Sequence, residues 1–411
     1  MENIIMKNKE VEQFKIFEKL TNRLITQKDA AVLLNLSERQ VRKKFKKYKE
    51  FGAKSLIHKN KGKPSKRLWA KSQEDLAIKL LESDFKGFGP TFAAEKLKDL
   101  YNISVSPETL RNRMMKNGLW LKKIKRSKHR TRRVRSACFG LMIQLDGSPH
   151  DWFEGRAPKC TLLVFIDDAT SKIVWLEFAK SESVKSLMNA TRHYLEVFGR
   201  PNSFYVDYGS VFSVNTNNPE RDKLTQFERA MKELDIRMIH ASSPQAKGRV
   251  ERVNKTLQDR LVKEMRLRKI SSMNDANKFI QSEYISIHNN KFSVAPAEET
   301  NVHRSLLRFN LNNILCYKEY RILQNDFVLK YKTRFFQLDK EQKTIVRPKE
   351  DIEVFERLDG SIFMRLRATE INFHEIHEKN HQKEFKTKPL YIPPSNHPWR
   401  QYNNFKNLRS L

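Results

Sequence analysis

Two periods of hydrophobic spacing divide the chain. Up to about residue 120, apolar side chains recur every three to four positions, as on one face of a helix. The stretch ITQKDAAVLLNLSERQVRKKFKKY predicts a helix from near Thr26, a tight turn at Asn35–Leu36 and a second helix capped by Ser37. Gln40 stands three residues after Ser37, the capping-box spacing that fixes a helix start. SQEDLAIKLLES, PTFAAEKLKDLY and SPETLRNRMMKNG predict three more helices. Pro90 opens the second of these, Ser106-Pro107-Glu108 opens the third, and Gly118 stops it. Past about residue 138 the apolar runs take strand form. FGLMIQLDG, CTLLVFIDDAT, KIVWLEFAK, NSFYVDYG and RMIHAS read as strands, with helices from Ser181 to about Phe198 and over 225–235. The order β-β-β-α-β-α-β-α predicts a mixed five-stranded sheet with helices on its faces.

Helical period returns in QAKGRVERVNKTLQDRL (245–261), where Val250, Val253, Leu257 and Leu261 form a stripe made for burial. The pattern stays helical to about 308, with a break at VAPAEE. Short β-rich runs then alternate with turns, and Asp359–Gly360 is the strongest hairpin signal in the chain. A small β-barrel is the natural product of so many short strands. The expected fold is multidomain: N-terminal all-α helix-turn-helix modules, a central α/β core with a mixed five-stranded sheet, and a C-terminal small β-barrel. Its boundaries follow the composition: helix-turn-helix domains at 10–57 and 71–120, basic linkers at 58–70 and 121–137, and the core at 138–270. A helical connector at 271–312, the barrel at 313–372 and a polar tail at 373–411 complete the chain.

Charge changes this picture from architecture to partner. The 411 residues hold 80 Lys+Arg against 48 Asp+Glu, a formal net charge of +32. Such an excess repels itself unless a polyanion neutralises it, so double-stranded DNA is the expected partner. The first module places Arg39, Gln40, Arg42, Lys43 and Lys46 on the outward face of its second helix, suited to a major groove. Arg111, Asn112 and Arg113 are expected to face outward on the second module. Nine of the fourteen residues in KKIKRSKHRTRRVR are Lys or Arg. Lys122, Lys123, Lys125, Arg126, Arg130, Arg132 and Arg133 there are expected to track phosphates. No apolar run is long enough to span a bilayer, and the N-terminus lacks the layout of a signal peptide. Cys138, Cys160 and Cys316 match no disulfide or zinc spacing, which fits reduced thiols in a cytoplasmic protein.

Three acids carry the candidate chemistry. Asp146 and Asp207 each end an apolar strand run, and Glu251 lies beside the buried stripe of the 245–261 helix, flanked by Lys247 and Lys255. Carboxylates on adjoining elements suit Mg2+ or Mn2+, hard ions that take oxygen ligands. Two such ions clamp the attacking and leaving oxygens of a phosphodiester displacement. Asp167, Asp168, Asp151 and Glu154 compete for the same role, since strand-end acids are also turn formers and caps.

The segments IQLDGSPHDWFEGR, CTLLVFIDDATS, YVDYGSVF and ASSPQAKGRVERVNKTLQDRL resemble the catalytic core of ISNCY-type insertion-sequence transposases. These are Asp-Asp-Glu enzymes of the retroviral-integrase superfamily with a ribonuclease-H-like core. The resemblance spans roughly 20–375, most specifically 140–262, and HPWR near the C-terminus is also similar. It implies that Asp146, Asp207 and Glu251 are the catalytic and metal-binding acids, and that Asp167 and Asp168 are structural and away from the metals. It also implies binding of terminal inverted repeats, release of 3′-OH ends, their joining to target DNA, and a homo-oligomeric synaptic complex on the bacterial nucleoid. The stretch from Asp207 to Glu251 is longer than in retroviral integrases, and the polar insert VNTNNPERDKL accommodates the excess as a loop. Two alternatives stand beside this reading: a DNA-binding regulator or inactive remnant, and a ribonuclease-H-like nuclease without joining activity.

Overall fold

The computed structural model describes residues 6, 8–57, 69–121, 134–213, 224–241, 248–376, 394 and 396–397. The chain forms two compact units, Met1–Lys123 and Ile124–Leu411. Among the described residues, no helix is long and apolar enough to cross a membrane.

The first unit is helical. Helices α1 (Asn8–Thr21), α2 (Gln27–Leu34) and α3 (Glu38–Phe51) enclose Phe17, Leu20, Ala30, Ala31, Val41 and Phe45. Both expected starts are present as capping boxes, Thr26 with Asp29 and Ser37 with Gln40. Asn35 adopts the left-handed conformation that the turn between them needs, at φ 50°. Helices α4 (Lys71–Glu82), α5 (Pro90–Tyr101) and α6 (Pro107–Lys116) follow, with Pro90 and Pro107 in the first helical turn as expected.

The second unit is built on a five-stranded mixed sheet. A two-residue strand β1 (Cys138–Phe139) precedes β2 (Ile143–His150), β3 (Cys160–Asp167) and β4 (Ile173–Ala179). Helix α7 (Val184–Phe198), β5 (Ser203–Val206), α8 (Gln226–Glu233), β6 (Arg237–His240) and α9 (Gly248–Leu267) complete it. The strand order is β4-β3-β2-β5-β6, and β2–β5 and β5–β6 pair in parallel while β2–β3 and β3–β4 are antiparallel. The mixed sheet with helices on both faces bears out the sequence expectation. On one face α7 and α8 pack Leu187, Tyr194, Phe227 and Met231 against Ile143, Leu145, Phe204 and Val206. On the other, α9 packs Val250, Leu257 and Leu261 against Leu162, Val164 and Ile166. Strand β3 is buried along its whole length because both layers cover it.

Two expectations for the remainder need correction. The helical connector holds α10 (Met273–Phe279), a π-turn at Ile280–Tyr284 and α11 (Ile285–Phe292), but helix then gives way to strand. Strand β7 (Glu298–Asn301) pairs in parallel with β1, and only a short helix α12 (Leu311–Ile314) follows. The partner strand decides this conformation, because EETN has no strand-forming pattern of its own. The C-terminal strands are β8 (Cys316–Ile322), β9 (Val328–Tyr331), β10 (Arg334–Leu338), β11 (Asp351–Arg357), β12 (Ile362–Leu366), β13 (Thr369–Ile371) and β14 (Phe373–Ile376). They make two sheets, β14-β10-β9 and β13-β12-β11-β8, over one core that includes Leu329, Phe336, Val354 and Met364. No closed barrel forms among the described residues. Strand β10 pairs with β9 and β14, and β11 with β8 and β12, and among the described residues no strand ladder joins the two sheets. The Asp359–Gly360 hairpin is present between β11 and β12, with Gly360 at φ 90°.

Candidate active site

Register places the two aspartates. Ile143 lies opposite Phe204 and Gln144 opposite Tyr205, so the same parallel register carried two residues on sets Asp146 level with Asp207. Ile143, Leu145, Phe204 and Val206 belong to one core cluster, so the alternating positions Gln144, Asp146 and Tyr205 point to the opposite face. That face is the one covered by α9.

Helix α9 lies along β2 in three hydrogen-bonded steps. Val250 N–H donates to Gln144 Oε1 (3.3 Å), Asn254 Nδ2 to Asp146 Oδ2 (2.7 Å) and Gln258 Nε2 to Ser148 Oγ (3.1 Å). Four helix residues advance about 6 Å and two strand residues about 6.7 Å, so the two elements stay in step over these levels. Glu251 follows the first level by one residue and is exposed, with its Oε1 2.6 Å from Lys255 Nζ. The far end of α9 is held by Arg156, whose Nη1 donates to the carbonyl of Met265 (3.3 Å) in its last turn and to that of Ile270 (2.8 Å) just past it.

Asp207 stands just beyond β5, and its Oδ1 accepts from Gly209 N–H (2.9 Å). His240 lines the same turn: its ring stacks on Tyr208 at 5.3 Å, Nδ1 lies 3.3 Å from the Asp207 carbonyl, and Nε2 lies 3.1 Å from Glu228 Oε1. The donors here are carboxylate oxygens, together with Asn254 Oδ1, a buried oxygen with no hydrogen-bond partner among the described residues. That is the chemistry of a hard divalent ion. Among the described residues, however, no three acidic, His or Cys side chains are gathered closely enough to hold one ion. One carboxylate stands on β2, the second just past the end of the neighbouring β5, and the third sits on the adjoining helix in an ion pair.

The competing acids are engaged elsewhere. Asp151 accepts from Gly155 N–H (3.1 Å), and Glu154 receives Arg266 Nε (2.8 Å). Asp167 is fully buried and accepts from Gly140 N–H (3.0 Å) and Thr170 Oγ1 (2.6 Å); burial raises its pKa against the pull of these donors. Asp168 is also fully buried, but it is not remote from the candidate site. Its Oδ1 accepts from Gln144 Nε2 and Arg249 Nη1, both at 2.6 Å.

The putative transposase y4bF of Sinorhizobium fredii is 37% identical over 365 residues, covering 88% of this chain and 80% of that protein. The chain belongs to the insertion-sequence transposases. The transposase for insertion sequence IS1202 of Streptococcus pneumoniae is 28% identical over an alignment of 445 residues, 95% of this chain and 93% of that one. No family model matches the transposase. Among solved structures, the simian T-cell lymphotropic virus intasome in complex with PP2A regulatory subunit B56 gamma is 14% identical and covers 73% of this chain and 96% of that one, at a TM-score of 0.32. The HTLV-2 integrase catalytic core domain in complex with magnesium, in its dimeric form, is 16% identical and covers 40% and 96%, at 0.30. Scores this low carry no weight for the site.

On the helical unit of the transposase, Arg39, Gln40, Arg42, Lys43 and Lys46 are exposed along α3, although Gln40 Oε1 also accepts from Ser37 N–H (3.2 Å). Of the three α6 residues expected to face outward, only Asn112 is exposed. Arg111 is half-buried and ion-paired with Glu108. Arg113 is turned inward, its Nε 3.1 Å from Glu74 Oε1 on α4, because it follows the buried Leu110 by three residues and adjoins buried Met114. Lys255 is exposed and paired with Glu251. Lys122, Lys123, Lys125, Arg126, Arg130, Arg132, Arg133 and Lys247, the polar insert from 214 to 223, and Pro398, Trp399 and Arg400 of HPWR lie outside the described residues. Sequence reasoning missed Gln144, Arg249 and Asn254. Asn254 had a signal: it is a polar residue four positions from Val250, on a stripe otherwise apolar.

Proposed function

We propose that this transposase binds the terminal inverted repeats of its element, cleaves them to free 3′-OH ends and joins those ends to target DNA, with Asp146, Asp207 and Glu251 as its catalytic acids. The reading is supported by the parallel pairing of β2, which carries Asp146, with β5, which ends one residue before Asp207, and by α9 with its Glu251, tied to Asp146 through Asn254. The three carboxylates would hold Mg2+ or Mn2+, and when bound two such ions supply charge stabilisation for the attacking and leaving oxygens of the displacement.

The protein's own part is positioning and charge compensation. Asn254 fixes the rotamer of Asp146 by donating to one of its oxygens. Gly209 N–H does the same for Asp207, and His240 holds the backbone of its turn. Lys255 neutralises Glu251 in the free protein and exchanges it for a DNA phosphate when substrate arrives. The exposed cations of α3 suit a major groove, and the run 122–133 suits the phosphate backbone. Two ends must be held together for joining, so the working form is a homo-oligomer on bacterial DNA in the cytoplasm.

Full-length protein with Mg2+ or Mn2+ and duplexes of the terminal repeats is expected to give nicked ends and strand-transfer products on a target plasmid. Asp146→Asn, Asp207→Asn and Glu251→Gln are each expected to reduce both products at least ~100-fold while retaining repeat binding. Full strand transfer by all three variants would refute the assignment. Cleavage without any joined product would instead mark a nuclease, and tight repeat binding without metal-dependent cleavage a regulator.

A further inference from the structure

We propose that Asp168 is a positioning residue for the reacting centre: it locks the first turn of α9, which carries Glu251, to the strand that carries Asp146. This rests on the reading of those acids as catalytic. Asp168 has no solvent-exposed surface, and its two carboxylate oxygens serve different parts of the chain. Oδ1 accepts from Gln144 Nε2 and Arg249 Nη1, both at 2.6 Å. Gln144 stands two residues before Asp146 on β2, and Arg249 two residues before Glu251 on α9. Oδ2 accepts from Ser136 N–H (2.8 Å) and Ser136 Oγ (3.0 Å), at the point where the chain enters the sheet unit.

Gln144 closes the lock. It is fully buried, and while its Nε2 donates to Asp168, its Oε1 accepts from Val250 N–H, one of the first-turn donors of α9. The start of the helix is therefore held twice from the sheet, once through its backbone and once through the Arg249 guanidinium. A charge-assisted bond to a buried carboxylate is short and directional, so it fixes orientation as well as distance. A helix free to swing at this end would move Glu251 relative to Asp146, and displacements near 1 Å at a reacting centre cost about 100-fold in rate. Asp168 itself touches neither catalytic acid in these bonds; it acts through Gln144 and Arg249.

The test uses the full-length protein, with duplexes of the element's own termini and Mg2+ for kinetics, and amide hydrogen exchange on the free protein without DNA or metal. Arg249→Met is expected to lower kcat for cleavage about 10- to 100-fold with KM for DNA within about twofold of wild type. Exchange at 249–252 should accelerate about tenfold or more while 258–267 keeps its protection. Arg249→Lys, which keeps the positive charge, is expected to recover part of both losses. Asp168→Asn with Arg249→Met removes both charges, so it should melt no lower than Arg249→Met alone yet remain slow. The proposal is overturned if kcat is unchanged, if the loss falls on KM, or if exchange rises along all of α9 and β2 together. Should wild-type protein fail to cleave, the catalytic reading fails, and the exchange measurement still decides whether Asp168 fixes this turn.

Discussion

Asn254 puts an amide on α9 where Val250, Leu257 and Leu261 otherwise supply hydrocarbon, and its Nδ2 bond to Asp146 Oδ2 is why that exchange is made. Its Oδ1 is buried without a hydrogen-bond partner among the described residues. Asn254→Leu keeps the volume and removes the donor. Cleavage is expected to fall about 10- to 100-fold, the worth of one hydrogen bond to a charged group, while the melting temperature changes by only a few degrees. Wild-type kinetics in that variant would show that Asp146 needs no such support. A second residue sets acid stability. His288 is 3% exposed, packs its ring 4.7 Å from Phe292, and has no hydrogen-bond partner at either nitrogen among the described residues. Burial, helped by the nearby Arg260 cation, lowers its pKa to about 4. Burial holds His303 near 4 as well, with Nε2 2.7 Å from Tyr194 Oη. Both stay neutral in the fold while the unfolded chain binds protons near pH 6.5, so stability present above pH 6.5 is lost as pH falls towards 4. For His288 the loss is on the order of 3 kcal/mol. Urea midpoints compared at pH 7 and pH 4.5 should show it, and His288→Phe should flatten that slope. An unchanged slope in the variant would reject the assignment.

At the scale of elements, the pairing of α9 with β2 aligns the proposed site, and the buried stripe of α9 supplies the adhesion. Leu257 is fully buried between the Asn254 and Gln258 bonds. Leu257→Ala should cost about 2–5 kcal/mol, read as a lower urea midpoint with an unchanged slope. A shift under 0.5 kcal/mol would mean that α9 is held by its polar bonds alone. This element also shows what a sequence can and cannot reveal. The α9 stripe, the Ser37–Gln40 capping box and the Asp359–Gly360 hairpin were all legible, because each depends on residues a few positions apart. Gln144, Asp168 and Arg249 were not, because their roles depend on bonds spanning 24 to 106 positions of chain. The same limit explains β7, whose conformation comes from β1, and the two C-terminal sheets, where hydrophobic alternation predicts strands but not whether their edges join. Arg113 failed for a simpler reason: a cation on a short helix was assigned to solvent although the helical period places it beside the buried stripe.

For the whole molecule, the net charge of +32 is the quantity that no single element explains. Few of the exposed cations of α3 are neutralised within their own helix, which carries Arg39, Arg42, Lys43, Lys44, Lys46, Lys47 and Lys49 against Glu38 and Glu50. The sheet unit spends many of its cations internally, with Arg249 on Asp168, Arg229 on Glu233 and Arg266 on Glu154. Charge available to a polyanion is therefore concentrated in the first helical module and in the 122–133 run, whereas residues 71–120 hold 8 Lys+Arg against 7 Asp+Glu and the candidate site is rich in carboxylates. On the proposed function this division separates binding from chemistry: DNA affinity is expected to depend on salt through groups that take no part in cleavage. Each phosphate neutralised releases counterions, and the logarithm of affinity falls with the logarithm of salt by about 0.9 per contact. Replacing Lys125, Arg126, Arg130 and Arg132 with Gln is expected to flatten that slope by about 3 to 4 while leaving discrimination between terminal-repeat and unrelated duplexes unchanged. Binding isotherms from 50 to 300 mM salt, on both duplexes, measure the two effects separately. An unchanged slope would show that the run does not contact phosphates, and a loss of discrimination would assign it a part in reading bases.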